Sequence, residues 1–323
     1  MLDLHIKENS KMNHLKALPV LRLFISVFFV FTVSGCANTS SSKYSGAADV
    51  EQAVSKETAD IILPPGSHPK QTCDTTGPTA YQPSLAEQER DQLYQLVAYG
   101  VVYKDWQTKS WSQDDSEPAR GYNIGSILVD TSKPLGQQIV CWARNSVITT
   151  VNSTQHGEVR LMTNYLSNAS VASLKNTFKL YTTLEPCAMC GGMMTLQSLP
   201  TTLYGQTDPD FGDGIQRLEV NTHDHGGFCP YPRGVYSNAS SLGIRAKIDK
   251  AYKSWMKDNQ GLTAWLITDE AKELFEESID ELNNWQIQHS ENTVVLQQAL
   301  NYLGSEVPSE YTAIPYTAGC SGQ

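Results

Sequence analysis

Residues 183–192 read Thr-Leu-Glu-Pro-Cys-Ala-Met-Cys-Gly-Gly. Two cysteines three positions apart, directly after a proline, suit three kinds of chemistry: a redox pair, half of a structural zinc site, or half of a catalytic one. Proline suits the first turn of a helix, so a helix is expected to open at Pro186. In that turn the Cys187 and Cys190 thiols point to one side. The positive end of a helix favours thiolate, the form that binds metal.

A zinc centre needs further ligands. The segment Gln155-His156-Gly157-Glu158 offers one, 31 residues before Cys187 and at a second predicted helix start. His156, Cys187 and Cys190 together supply three ligands and leave a fourth position open for water, the arrangement of a catalytic zinc rather than a structural one. Glu158 is poorly placed to bind the same metal beside His156. It can lean over the open position, take a proton from water and hand it to a leaving amine, which is general acid–base work by one carboxylate. H-x-E followed by P-C-x-x-C is a signature of zinc deaminases.

The alternatives have their own requirements. A thioredoxin-like pair needs no upstream H-x-E. A structural zinc needs a fourth protein ligand, for which His223 or His225 in Thr-His-Asp-His-Gly-Gly is available. A degenerate fold without activity is the third, although every motif residue is present. Trp142, Phe211 and Phe228 are aromatics that either stack on a planar ligand or belong to the core.

The elements that must position these residues follow from periodicity. Ser84-Leu85-Ala86-Glu87 has the capping-box pattern and opens a helix over 85–104. Runs at 123–130 and 138–145 read as a strand pair joined by a turn with proline and glycine. A helix over 156–169, a strand at 178–185, the helix from Pro186 and a strand at 201–208 complete an α-β-β-α-β-α-β order, which predicts an α/β domain. Residues 209–242 carry no regular pattern. Helices are expected over 243–257 and 268–303, the latter with a stripe of Leu274, Phe275, Ile279, Leu282 and Trp285.

"QHGEV", "LYTTLEPCAMCGGMM" and "LYGQTDPDFGDG" resemble the cytidine/deoxycytidylate deaminase superfamily, in the branch of tRNA adenosine, guanine and cytosine deaminases, over roughly residues 85–215. The resemblance implies a three-layer α/β/α domain with a mixed central sheet. It implies Zn2+ on His156, Cys187 and Cys190, with Glu158 as the proton shuttle. Asn145, eleven residues before His156, matches the asparagine that hydrogen-bonds the target base. The usual H-A-E is H-G-E here.

The chain has 323 residues, 40% of them hydrophobic, enough for an ordinary core, with a net charge of −10. Its pI of about 5.2 disfavours polyanionic partners, because few basic groups are available to neutralise phosphates. Residues 24–33 are ten apolar or small residues, too short to span a bilayer as a helix, preceded by Lys7, Lys11, Lys16 and Arg22. This is a secretory signal pattern, whose true start is either Met1 or Met12. Val33-Ser34-Gly35-Cys36 resembles a bacterial lipobox, in which Cys36 is acylated and becomes the first mature residue; a plain signal peptide is the alternative. Alanine rather than aspartate at position 37 points, by resemblance to Gram-negative lipoproteins, to the outer membrane facing the periplasm. The four basic and two acidic residues before Cys36 leave with the leader, taking the formal charge from −10 to −12. Export also permits disulfides. Cys73, Cys141, Cys229 and Cys320 then allow three pairings, among which the sequence does not choose.

The expected organisation is a signal peptide over 1–35, a linker over 36–83, a deaminase-like domain over 84–242 and a C-terminal helical extension over 243–323. The expected function is zinc-dependent deamination of a nucleobase, nucleoside or related small aminated heterocycle, with a membrane contact through the lipid and a homodimer left open. The alternatives are a non-catalytic envelope binding or scaffold lipoprotein on the same fold, and a deaminase of nucleic acid. If the lipobox is used, Cys36→Ser should release or mislocalise the protein in cell fractionation. A variant that fractionates and migrates like the wild type overturns the lipid anchor.

Overall fold

The computed structural model describes residues 81–108, 119–219, 235–257, 261–309 and 318–320. The expected signal peptide, Cys36, the linker up to residue 80, and Cys73, His223, His225, Phe228 and Cys229 lie outside the described residues. No helix among the described residues is long and apolar enough to cross a membrane.

The chain order is α1 (Leu85–Tyr103), β1 (Gly125–Asp130), β2 (Ile139–Arg144), α2 (Gly157–Ala169), β3 (Phe178–Thr182), α3 (Ala188–Leu196), β4 (Thr201–Tyr204), the single turn α4 (Gly214–Arg217), β5 (Tyr236–Ala239), α5 (Gly243–Trp255), the single turn α6 (Leu262–Trp265), α7 (Asp269–Asn283), α8 (Thr293–Ser305) and β6 (Ala318–Cys320). The strands form one mixed sheet in the order β5-β4-β3-β1-β2-β6. β1 pairs antiparallel with β2 and β3, and β6 antiparallel with β2, while β3-β4 and β4-β5 are parallel.

Every residue of β1 and β2 is buried, because both faces of the sheet are covered. Ile127, Val129 and Tyr181 face a core shared with α1, α5, α7 and α8. Leu128, Ala143 and Leu180 face the opposite way, onto Leu161 and Met162 of α2 and Met194 of α3. The period of two along each strand thus divides the apolar residues between two cores, and the result is the expected three-layer α/β/α architecture. The expected C-terminal helices belong to one of those outer layers and share its core with α1.

Several boundaries differ from the sequence reading. Pro186 does not open α3. Cys187 is its N-cap, with extended backbone at φ −72° and ψ 169°, and the helix starts at Ala188. Strand β3 ends at Thr182 and β4 at Tyr204, earlier than expected, because Glu185 N turns to Gln206 O at 2.8 Å. Half of the capping box forms: Ser84 Oγ accepts from Glu87 N at 3.3 Å, while the Glu87 carboxylate pairs with Lys179. The featureless 209–242 segment contains α4 and β5.

The expected long helix over 268–303 is two helices, with Trp285 in the turn between them. That turn is built on one carboxylate. Glu89 of α1 is buried and accepts from Trp285 Nε1 at 3.2 Å, Gln288 N, His289 N at 3.0 Å and Asn292 Nδ2 at 2.7 Å. Backbone donors that would have continued a helix are captured instead. Burial acts to raise the Glu89 carboxyl, but these donors outweigh it and hold it below the ordinary carboxylate range.

Cys141 of β2 and Cys320 of β6 are joined by a disulfide, a contact on which the sequence did not decide.

Replacing Glu89 by glutamine should cost roughly 1–3 kcal/mol, since one donor then meets an amide NH2 instead of an oxygen. The wild-type carboxyl is depressed, so its stabilisation is present above the unfolded glutamate value of about 4.3 and is lost as pH falls through the folded value. The gap in unfolding free energy between wild type and Glu89→Gln should therefore be widest near neutral pH and narrow below about pH 4. A gap that does not change with pH overturns this account.

Candidate active site

The two motif segments meet where α2 and α3 begin. His156 is the N-cap of α2 and Cys187 that of α3, and both have extended backbone there. Neither cap side chain bonds its own helix, so both remain available for other work. Cys187 Sγ lies 3.7 Å from His156 Nδ1, Cys190 Sγ 3.6 Å from the same nitrogen, and the two sulfurs are 3.6 Å apart. All three ligand atoms fall within 4.8 Å of one another.

A tetrahedral zinc provides a test of fit. Zn–S near 2.3 Å and Zn–N near 2.0–2.1 Å put two sulfurs about 3.8 Å apart and a sulfur and a nitrogen about 3.6 Å apart. The observed edges match, and the donor set of two thiols and one imidazole is a zinc set. Glu158 contributes none of the three atoms. It is buried, and its Oε2 finds no hydrogen-bond partner among the described residues.

The electrostatics follow from this crowding. A hydrogen bond from Cys190 pulls the Cys187 thiol down to about 4, while the same bond, together with burial, pushes the Cys190 thiol up. The hydrogen bond to Cys187 raises His156. Burial pushes the Glu158 carboxyl up to about 7. Cys187 and Cys190 are free thiols, whereas Cys141 and Cys320 are bonded.

Gly157 lies over β1. A methyl here would sit 3.3 Å from Ser126 Oγ and 3.4 Å from Gly125 Cα, so alanine at this position needs a small shift of the serine hydroxyl. Asn145 directly follows β2 and is fully buried. Its Oδ1 accepts from Tyr122 N and Val147 N, both at 3.3 Å, and its Nδ2 has no partner among the described residues.

One residue of the motif had no assigned role. Glu185 accepts from Asp208 N at 3.1 Å and Asp213 N at 3.2 Å, clamping the 208–213 loop beside the cysteines. Gly214 follows that clamp, and any side chain there would lie 2.4 Å from Pro186 O. The only sequence signal was a glutamate next to Pro186, which does not reveal its partners. Of the aromatics, Trp142 is core, with the Arg144 guanidinium 4.8 Å from its ring centre. Phe211 is 66% exposed on the clamped loop.

Residues 107–227 match the MafB19-like deaminase family. The tRNA-specific adenosine deaminase 2 of Xenopus laevis is 35% identical over 107 residues, 32% of this chain and 61% of that protein. The chain thus spans less than two thirds of this relative's length. The tRNA-specific adenosine deaminase of Buchnera aphidicola is 36% identical over 121 residues, 38% of this chain and 69% of that protein. Among solved structures, the guanine deaminase of Nitrosomonas europaea is 13% identical, covers 61% of this chain and 86% of its own, and has a TM-score of 0.30.

Reductively purified protein should carry about one zinc per chain, and either His156→Ala or Cys190→Ser should lower that content well below one. Metal-free wild type in elemental analysis, or a Cys187–Cys190 disulfide in peptide mass mapping of the native protein, overturns the centre.

Proposed function

Because the chain belongs to the deaminase family that includes these tRNA-specific adenosine deaminases, we propose that it is a zinc-dependent hydrolytic deaminase acting on a small aminated heterocycle, a nucleobase or nucleoside. The observation that carries the reading is the three-atom cluster at tetrahedral zinc spacing beside the buried Glu158 carboxylate. His156 Nδ1 and the two cysteine sulfurs would hold the metal, which when bound supplies a Lewis acid that makes water nucleophilic near neutral pH.

The chain's own residues account for the rest. A carbon–oxygen bond forms at the ring carbon, the carbon–nitrogen bond to the exocyclic amine breaks, and ammonia leaves while a carbonyl remains. Glu158 accepts the proton that water gives up and returns it to the departing nitrogen. Its carboxyl is buried, with Oε2 free of hydrogen-bond partners among the described residues, which leaves that oxygen available to take up and release a proton. Asn145 Nδ2, a buried donor without a partner among the described residues, is offered to the ring of the substrate.

The basic groups support a small substrate. Arg144 is buried and donates to the Val101 and Pro308 carbonyls. Lys179 is paired with Glu87 and Asp91. Neither is free to meet a phosphate, and the net charge is −10. A second reading, deamination within tRNA, is favoured by the substrates named for the sequence relatives. The exported, lipid-anchored reading of the leader remains part of the proposal. The Cys141–Cys320 disulfide supports it, since such bonds persist in oxidising compartments.

Ammonia release from free bases and nucleosides should be measurable and nearly independent of salt between 50 and 200 mM. Positioned acid–base groups contribute roughly 10²–10⁴-fold, so Glu158→Gln should lower turnover by at least that range while zinc stays bound. Unchanged turnover in zinc-loaded Glu158→Gln removes the shuttle role. Tight, salt-sensitive tRNA binding without turnover of small substrates replaces this reading with the second.

A further inference from the structure

Asn145 is held by more than its place after β2. Its side-chain oxygen already accepts two backbone N–H groups, from Tyr122 and Val147. Turning the amide over would break both bonds, so its orientation is fixed with Nδ2 as the donor left open among the described residues. Leaving a buried donor open costs roughly 1–3 kcal/mol, and the surrounding structure has to impose that arrangement.

The segment 119–123 imposes it. Arg120 is fully buried. Its Nε donates to Asp105 Oδ2 at 2.8 Å and its Nη2 to Asp105 O at 3.3 Å. Its Nη1 donates to the main-chain carbonyl of Asn145 and, at 3.3 Å, to Tyr122 O. The Arg120 carbonyl accepts from Thr149 N at 3.2 Å and Thr149 Oγ1 at 3.3 Å, on the loop that leads to His156. One guanidinium therefore ties the end of α1 to the exit of β2, and its own backbone ties that exit to the loop carrying a metal ligand.

Gly121, next in the chain, has φ +155°. A Cβ there would lie 2.4 Å from Asn145 Oδ1 and 3.1 Å from Asn145 O. Only glycine lets the Asn145 amide lie flat against this backbone. A buried ion pair is weak evidence for stability in itself, since apolar replacements of similar volume are often neutral. What sets Arg120 apart is where its donors go: to the ion-pair partner, to Asn145 and to the residue whose N–H orients the Asn145 side chain.

We propose that Arg120 is the positioning residue for Asn145, and that Gly121 provides the close approach that aims Asn145 Nδ2 at the substrate. This rests on the reading of Asn145 as the substrate contact.

The test uses the zinc-loaded full chain with free guanine and cytosine as probes. KM and kcat are measured for wild type, Asn145→Ala, Arg120→Lys and Gly121→Ala, and Kd is measured by calorimetry in the Glu158→Gln background, where turnover is suppressed. Gly121→Ala should raise KM and Kd about tenfold or more, as Asn145→Ala does, with a smaller change in kcat and full zinc content. Arg120→Lys, which keeps the charge but loses the fork of donors, should shift them in the same direction by less. If Arg120→Lys does not fold, Gly121→Ala decides, because it leaves the ion pair intact. Folded, zinc-loaded Gly121→Ala or Arg120→Lys with wild-type KM and Kd, alongside an impaired Asn145→Ala, overturns the inference and leaves the function standing. Wild-type binding by Asn145→Ala removes the substrate contact and the inference with it. A wild-type chain that neither binds nor deaminates these bases or their nucleosides overturns the proposed function itself, and the inference falls with it.

Discussion

Two sulfurs and an imidazole nitrogen, drawn from residues 31 and 34 positions apart, have to meet within a few ångströms, and the rest of the domain is arranged around that requirement. The register of the sheet supplies the solution. Gly125 stands opposite Arg144, and Ser126 opposite Thr182, so β2 and β3 leave the sheet on either side of the start of β1. Their exits are two strand spacings apart, about 10 Å. A short stem then leads from each exit to a helix start, and the two caps point their side chains at each other. Packing of Gly157 against Gly125 and Ser126 fixes how deeply α2 enters. The burial of Glu158 follows from that depth.

The loops around the site are shaped by charge more than by apolar contact. Glu185 holds the 208–213 loop by two backbone donors, Asp208 caps the same loop through Asp210 N and Phe211 N, and Arg120 holds the exit of β2. Glu89 plays the corresponding part on the turn between α7 and α8. A carboxylate or guanidinium that satisfies several backbone groups at once defines a loop's geometry narrowly, because its partners must come to fixed directions around it. It also makes the loop sensitive to single substitutions.

Much of this was legible in the sequence. The meeting of His156, Cys187 and Cys190 was expected because residue types and spacing that suit coordination chemistry leave little freedom in how the segments approach. The α-β-β-α-β-α-β order was readable from periodicity alone. Periodicity could not show that Glu89, about two hundred residues away in sequence, would capture the N–H groups of Gln288 and His289 and divide the helix expected over 268–303 into two. Nor could it place Cys187 rather than Pro186 at the start of α3, since that depends on cap geometry. Glu185 and Arg120 looked like ordinary charged residues because their roles lie in backbone partners that no side-chain pattern encodes. The pairing of Cys141 with Cys320 depends on β6 lying beside β2, which three residues of strand in isolation do not announce.

The pairing of β6 with β2 has a temporal side. Until β6 arrives, the outer edge of β2 presents unpaired N–H and C=O groups, the kind of edge that recruits strands from other chains. The residues that cover it lie 179 positions further along. At synthesis rates of about 5–20 residues per second, β2 waits roughly 10–35 s for its neighbour. Pairing over so large a sequence separation is slow on entropic grounds as well. Nascent chains therefore pass through an interval in which the half carrying His156, Cys187 and Cys190 is complete in sequence but its sheet is open on one side, and the disulfide closes that interval by making the late contact permanent.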